Sequence, residues 1–164
     1  MKKVRAFQLM KDNESWVKVW KQKDEERCFW TNGKVLFFDA EFLHWPVGYY
    51  VFRDKTLMPI SKSDFPVNVK NIIPKTKGYH KATLPYLQDG NYLNIDYSLN
   101  GGPDLVQLKA PKTVLYIDLR YFEYTSRWFV SNWTVWKVKD TTSPVLIYYE
   151  KELKGIAMPY KYEV

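Results

Sequence analysis

At 164 residues, with 46% hydrophobic and 26% charged residues, the chain has the length and composition of a globular protein with a real core. A single cysteine, Cys28, excludes an intrachain disulfide and any multi-cysteine metal site, and no stretch is long and apolar enough to cross a membrane as a helix. The net charge of +7 permits attraction to a polyanion without establishing it, and an aromatic content of 18% favours half-buried strands.

Along the chain, MKK starts like a secretory leader, but Lys11 and Asp12 arrive before any apolar run, so a cytoplasmic location is expected. Residues 4–10 read as a strand. In 16–20, Trp16, Lys18 and Trp20 alternate with Val17 and Val19, the period of a two-faced strand. Residues 21–27 (KQKDEER) are polar throughout and predict a solvated loop. Residues 28–31 and 34–39 flank Asn32 and Gly33, a strong hairpin signal because both central residues of such a turn take left-handed backbone. Pro46, Pro59, Pro66 and Pro74 then confine strands to short or edge positions. In 92–99, Leu93, Ile95, Tyr97 and Leu99 face one way and Asn94, Asp96 and Ser98 the other. A turn at 100–103 (NGGP) precedes strands at 105–108 and 114–119.

Residues 119–132 predict a helix. Leu119, Phe122, Phe129 and Val130 share an apolar stripe, and Arg120, Tyr124 and Arg127 share another face. Strands return at 133–139, 144–149 and 153–158, the last two around Glu150, Lys151 and Glu152. No Pro/Gly/Ser linker, low-complexity tract or repeat interrupts the chain. The expected fold is α+β and sheet-dominated. It forms one domain over 1–164, or two fused half-domains with a boundary near 75–85.

Catalytic signals are sparse. His44 and His80 are the only histidines, and neither has Cys, Asp or Glu at metal-ligand spacing. There is no phosphate-cradling glycine loop and no nucleophile elbow. Asp24, Glu25 and Glu26 lie in a polar stretch that would leave their protonation ordinary. No catalytic residue, metal site or cofactor is expected. His44 reads as a hydrogen-bonded structural histidine and Cys28 as buried filler. Trp16, Trp20, Trp30 and Trp45 read as core or subunit-interface residues. Arg120 and Arg127 read either as a solvated helix face or as phosphate contacts.

Three separated segments carry a resemblance. TNGKVL at 31–36 resembles the TDG-x-x-L hairpin of bacterial β sliding clamps, the ring-shaped processivity factors of DNA replication. FPVNVKNIIPK at 65–75 resembles that family's FP…(I/L)PK segment, and MPYKY at 158–162 its terminal MP-x-(R/K)-x. IDLRYF at 117–122 resembles the family's strand-to-helix step, and SPVLI at 143–147 the strand before the MP ending, all in the family's order. Asn32 stands where the family has Asp, Lys34 and Val35 replace a His-Arg pair, and the segments between motifs are much shorter.

The resemblance implies curved antiparallel sheets with one or two helices behind them. It implies an apolar pocket for short peptide motifs of polymerases and other replication proteins, lined by Thr31, Gly33, Leu36, Pro66, Ile72, Met158, Pro159, Tyr160 and Lys161. It further implies double-stranded DNA contact through Arg120 and Arg127, and a homo-oligomer, because one chain this short cannot surround a duplex. Three other readings stay open: a replisome decoy or modulator that keeps the peptide pocket without a ring, a basic aromatic-rich DNA- or RNA-binding module with no clamp relation, and an enzyme with an unrecognised site.

Overall fold

The computed structural model describes residues 4–83, 95–96, 102–129 and 133–161. The fold is sheet-dominated α+β. The chain divides into two compact units, Arg5–Pro74 and Lys75–Val164, the second joined by Val4. No helix among the described residues is long and apolar enough to cross a membrane.

The first unit is one sheet behind a short helix. Helix α1 (Ala6–Met10) replaces the strand expected at 4–10. Ala6, Leu9 and Met10 are buried, at i, i+3 and i+4, the spacing of a helix stripe. Five residues cannot sustain a helix alone. Glu41 holds this one from a distance: its carboxylate accepts the Ala6 N–H at 3.1 and 2.9 Å. Strands β1 (Ser15–Gln22), β2 (Glu25–Thr31), β3 (Val35–Phe38), β4 (Gly48–Arg53) and β5 (Thr56–Ile60) pair in the order β5-β4-β1-β2-β3. Pro59 lies on β5, at the end of that order, where a missing N–H costs no ladder bond.

The loop expected over 21–27 is instead a hairpin. β1 runs through Gln22, β2 starts at Glu25, and only Lys23 and Asp24 turn the chain. Polar composition misled here because both faces of a hairpin tip meet water.

In the second unit, β6 (His80–Lys81) pairs with β10 (Thr134–Val138), which continues through β11 (Val145–Tyr149) to β12 (Glu152–Ala157). β7 (Ile95–Asp96), β8 (Leu105–Ala110) and β9 (Thr113–Asp118) form a second sheet. The strand pairs β1–β2, β1–β4, β2–β3, β4–β5, β6–β10, β7–β8, β8–β9, β10–β11 and β11–β12 are antiparallel. Most of the strand expected at 92–99 lies outside the described residues, as does Val130 of the apolar stripe. Helix α3 (Leu119–Trp128) begins where β9 ends. Asp118 caps it, its carboxylate accepting the Arg120 N–H at 2.9 Å. Phe122 stacks on Trp136 at 4.2 Å between ring centroids and 15° between planes, and both are buried.

The helix departs from expectation at its polar face. Tyr124, expected to share an outward face with Arg120 and Arg127, is 0% exposed, and Glu123 is buried as well. The helix is enclosed through its middle and opens only at its last turn, where Arg127 and Trp128 are exposed.

Three hairpins turn on two residues that are both left-handed without glycine: Lys23 and Asp24 (φ 49° and 65°), Asp54 and Lys55 (51° and 63°), Glu150 and Lys151 (50° and 70°). Such backbone costs a non-glycine residue about 1–2 kcal/mol. Replacing Glu150→Asn with Lys151→Gly supplies the pair that suits this turn best. We expect a gain of about 1 kcal/mol, after allowing for the looser unfolded state of glycine. A urea midpoint that fails to rise would contradict this account of the turn.

Candidate functional site

The 31–36 motif forms a compact hairpin end. Thr31 pairs with Leu36 across β2 and β3. The Thr31 hydroxyl donates to the Val35 carbonyl at 2.7 Å and accepts the Gly33 N–H at 3.0 Å. Asn32 is buried, and its side chain does three jobs. Oδ1 accepts the N–H groups of Lys34 and Val35, each at 2.9 Å, and Nδ2 donates to the Leu9 carbonyl at 3.1 Å. Gly33 sits at φ +86°, where a side chain would be strained. Leu36 is 2% exposed, so its side chain packs as core.

The 65–75 segment is anchored by its first residue. Phe65 packs against Tyr49, Phe29 and Trp16, with centroids 4.9, 5.9 and 6.1 Å away. Beyond it the chain is exposed or half-buried. Helix α2 (Val69–Ile72) is a single turn whose Asn68 cap accepts the Lys70 N–H at 3.2 Å. Pro66 is exposed, and Ile72 and Ile73 are 38% and 39% exposed.

The C-terminal motif lies in the second unit. β12 stops at Ala157, Met158 is half-buried and Pro159 buried. The Tyr160 N–H then donates to the Tyr116 carbonyl at 2.7 Å, attaching the tail to β9, the last strand of its sheet. Tyr160 is 39% exposed and Lys161 is exposed.

The two arginines differ. Arg120 turns back on the helix cap: Nη2 is 2.7 Å from the Asp118 carboxylate and Nε 3.1 Å. Arg127 lies over the exposed Trp128 ring, 5.4 Å from its centroid.

Thr31, Gly33 and Leu36 therefore meet in one hairpin, and Met158, Pro159, Tyr160 and Lys161 follow one another past the end of β12. Pro66 and Ile72 lie in the exposed segment after Phe65. Sequence reasoning missed the aromatic face of the first unit. The half-buried Lys18 ammonium lies 5.0 Å from the Trp20 ring centroid and 5.6 Å from that of Tyr49, and Phe65 joins the same face. The alternation of Trp16, Lys18 and Trp20 was the available signal, but their partners Phe29 and Tyr49 come from other strands.

Elsewhere the groups are quiet. Cys28 is buried, and burial first, then the charge of Asp39, pushes its thiol up to about 11. His44 is exposed, with Nδ1 2.8 Å from the Glu26 carboxylate. Among the described residues no group of three His, Cys, Asp or Glu side chains is placed to hold a metal ion. Comparison with known proteins found no family model, no curated protein and no solved structure that matches this chain.

The hairpin end depends on an amide rather than a carboxylate. Asn32→Asp keeps the acceptor for Lys34 and Val35 but removes the donor to Leu9, and it sets a charge against that buried carbonyl. A loss of about 1–3 kcal/mol is expected in urea unfolding at neutral pH. An unchanged midpoint would mean that the bond to Leu9 contributes nothing.

Proposed function

We propose that this chain is a non-enzymatic, clamp-like accessory of DNA replication. In this reading it works in the cytoplasm as a homo-oligomer, docks short peptide motifs of replication proteins, and contacts double-stranded DNA. The observation that carries the reading is the C-terminal motif. Met158 to Lys161 leave β12 without regular structure, held to β9 by the Tyr160 main chain, with the Tyr160 and Lys161 side chains turned outward. An exposed aromatic ring beside a cation suits a peptide that combines apolar and acidic side chains. Within the first unit, Ile72 at the end of α2 and Ile73 just after it are exposed residues of the second motif, and they offer apolar area of their own.

A second reading, a basic nucleic-acid-binding module without kinship to clamps, is favoured by the exposed pair of Arg127 and Trp128. A ring on an aromatic platform stacks on any base.

Peptide titration separates these readings. A synthetic peptide bearing the clamp-binding motif of a replicative polymerase should bind, followed by fluorescence anisotropy. Tyr160→Ala and Ile72→Ala should each weaken it roughly tenfold, the loss of one apolar anchor. Both side chains are substantially exposed, so stability should stay within about half a kcal/mol. A parent protein that ignores the peptide removes the peptide-docking reading. Light scattering supplies the second arm: a monomer at high concentration, with and without DNA, leaves peptide binding as the work of a decoy.

A further inference from the structure

The second unit carries a lysine face that its strand pairings assemble. His80 and Lys81 pair with β10, placing Lys81 directly opposite Lys137. The same segment then crosses to the other sheet. The Ala82 N–H donates to the Trp136 carbonyl, and the Thr83 N–H donates to the Lys109 carbonyl, each at 2.8 Å. Thr83 and Lys109 form a bridge and stand opposite each other. Residues two apart in extended chain share a side, so Lys81 and Thr83 face one way and Lys109 and Lys137 join them. Burial agrees: Ala82, Leu108, Ala110, Trp136 and Val138 point inward. Lys139 continues the row from Lys137, and its side chain passes the turn at Gly78, where an added Cβ would lie 3.3 Å from its Cε.

Two features show that this face is not balanced from within. Lys81 and Lys137 are like charges in directly opposed positions, an arrangement that destabilises a sheet. Among the described residues no ion pair joins Lys81, Lys109, Lys137 or Lys139 to a carboxylate, and Lys137 lies instead over the Tyr148 ring at 4.8 Å. The neighbouring carboxylate, Asp140, is folded into its own turn. Hydrogen bonds from Ser143, then Thr142, pull its pKa down to about 2.

We propose that Lys81, Lys109, Lys137 and Lys139 form a binding face for the sugar-phosphate backbone of double-stranded DNA. A row of separate ammonium groups across neighbouring strands suits a chain of repeating phosphates. A single anionic group would be better matched by the arginine fork, which these strands lack. Polar donors extend the face: Gln107 and Tyr116 are paired beside Lys109, with Nε2 donating to the Tyr116 hydroxyl at 3.1 Å. The face gives a location to the DNA contact of the proposed function, on which it rests, and it borders the C-terminal motif at Tyr116, whose carbonyl holds the Tyr160 main chain, while none of the four lysines belongs to the residues proposed for peptide docking.

The test is anisotropy titration of the full chain with two duplexes of unrelated sequence at several salt concentrations. Replacing Lys81, Lys109, Lys137 and Lys139 with Gln should shrink the log–log salt slope by about three to four and weaken both duplexes equally. The matching Lys→Arg variant should keep the slope. A charge-matched control, Lys21, Lys34, Lys55 and Lys70 to Gln on the other unit, should also keep it. The urea midpoint of the Gln variant should not fall, since like charges are removed, and its affinity for the polymerase peptide should stay unchanged. An unaltered slope, an equal loss in the control, or a parent that binds anionic phosphatidylserine vesicles but no duplex overturns the proposal.

Discussion

Register governs this protein, and two-residue turns govern register. β1 and β2, β4 and β5, β8 and β9, and β11 and β12 are each joined by only two residues. At that length the loop cannot absorb an extra residue. A slip by one position would turn every side chain of the strand to the opposite face. In β1 it would exchange Val17 and Val19 for Lys18. In β8 it would bury Lys109 and expose Leu108. The charged residues in these turns tolerate left-handed backbone because the strands on either side demand it.

With register set, the two units use alternation differently. In the first, both faces of the sheet are covered. One carries Val17, Val19, Cys28 and Trp30 as core. The other carries Trp16, Phe29 and Tyr49 under Phe65, with Lys18 held among rings rather than carboxylates. In the second unit, Phe122 and Trp136 stack in the interior, while the outward side of β8 and β10 is left to lysine, glutamine and valine. A covered face stabilises. An uncovered one rich in cations carries self-repulsion that a polyanion would relieve.

The helix and the strands also divide the charged residues by availability. Arg120 is drawn into the cap of α3 by Asp118, so much of its charge is met inside the fold. The lysines of β6, β8 and β10 have no such neighbour among the described residues. A phosphate chain competes with whatever a cation already holds, and a bidentate carboxylate is a strong competitor.

The sequence alone determined the elements whose signal is local. Asn32 and Gly33 marked a hairpin by local chemistry: Gly33 takes the left-handed backbone, and the Asn32 side chain accepts the Lys34 and Val35 N–H groups. The alternation of 16–20, the runs at 105–108, 114–119, 133–139, 144–149 and 153–158, and the amphipathic stretch from Leu119 each became the expected element, because strand and helix periods are written in neighbouring residues. Buried Phe122 followed from the same spacing, whereas the helix stops at Trp128 and Phe129 is buried just beyond it in extended backbone. What depended on distant residues was decided by tertiary structure. Residues 6–10 became a helix because Glu41 reaches back to Ala6 and the apolar stripe has a sheet to cover. Residues 21–27 became a hairpin tip because β1 and β2 already had partners. Tyr124 was buried because packing encloses the middle of α3. Lys81, Lys109 and Lys137 share a face only because His80–Lys81 pairs with one sheet and Thr83 bridges to the other, and pairings between strands so far apart in the chain leave no periodic trace in it.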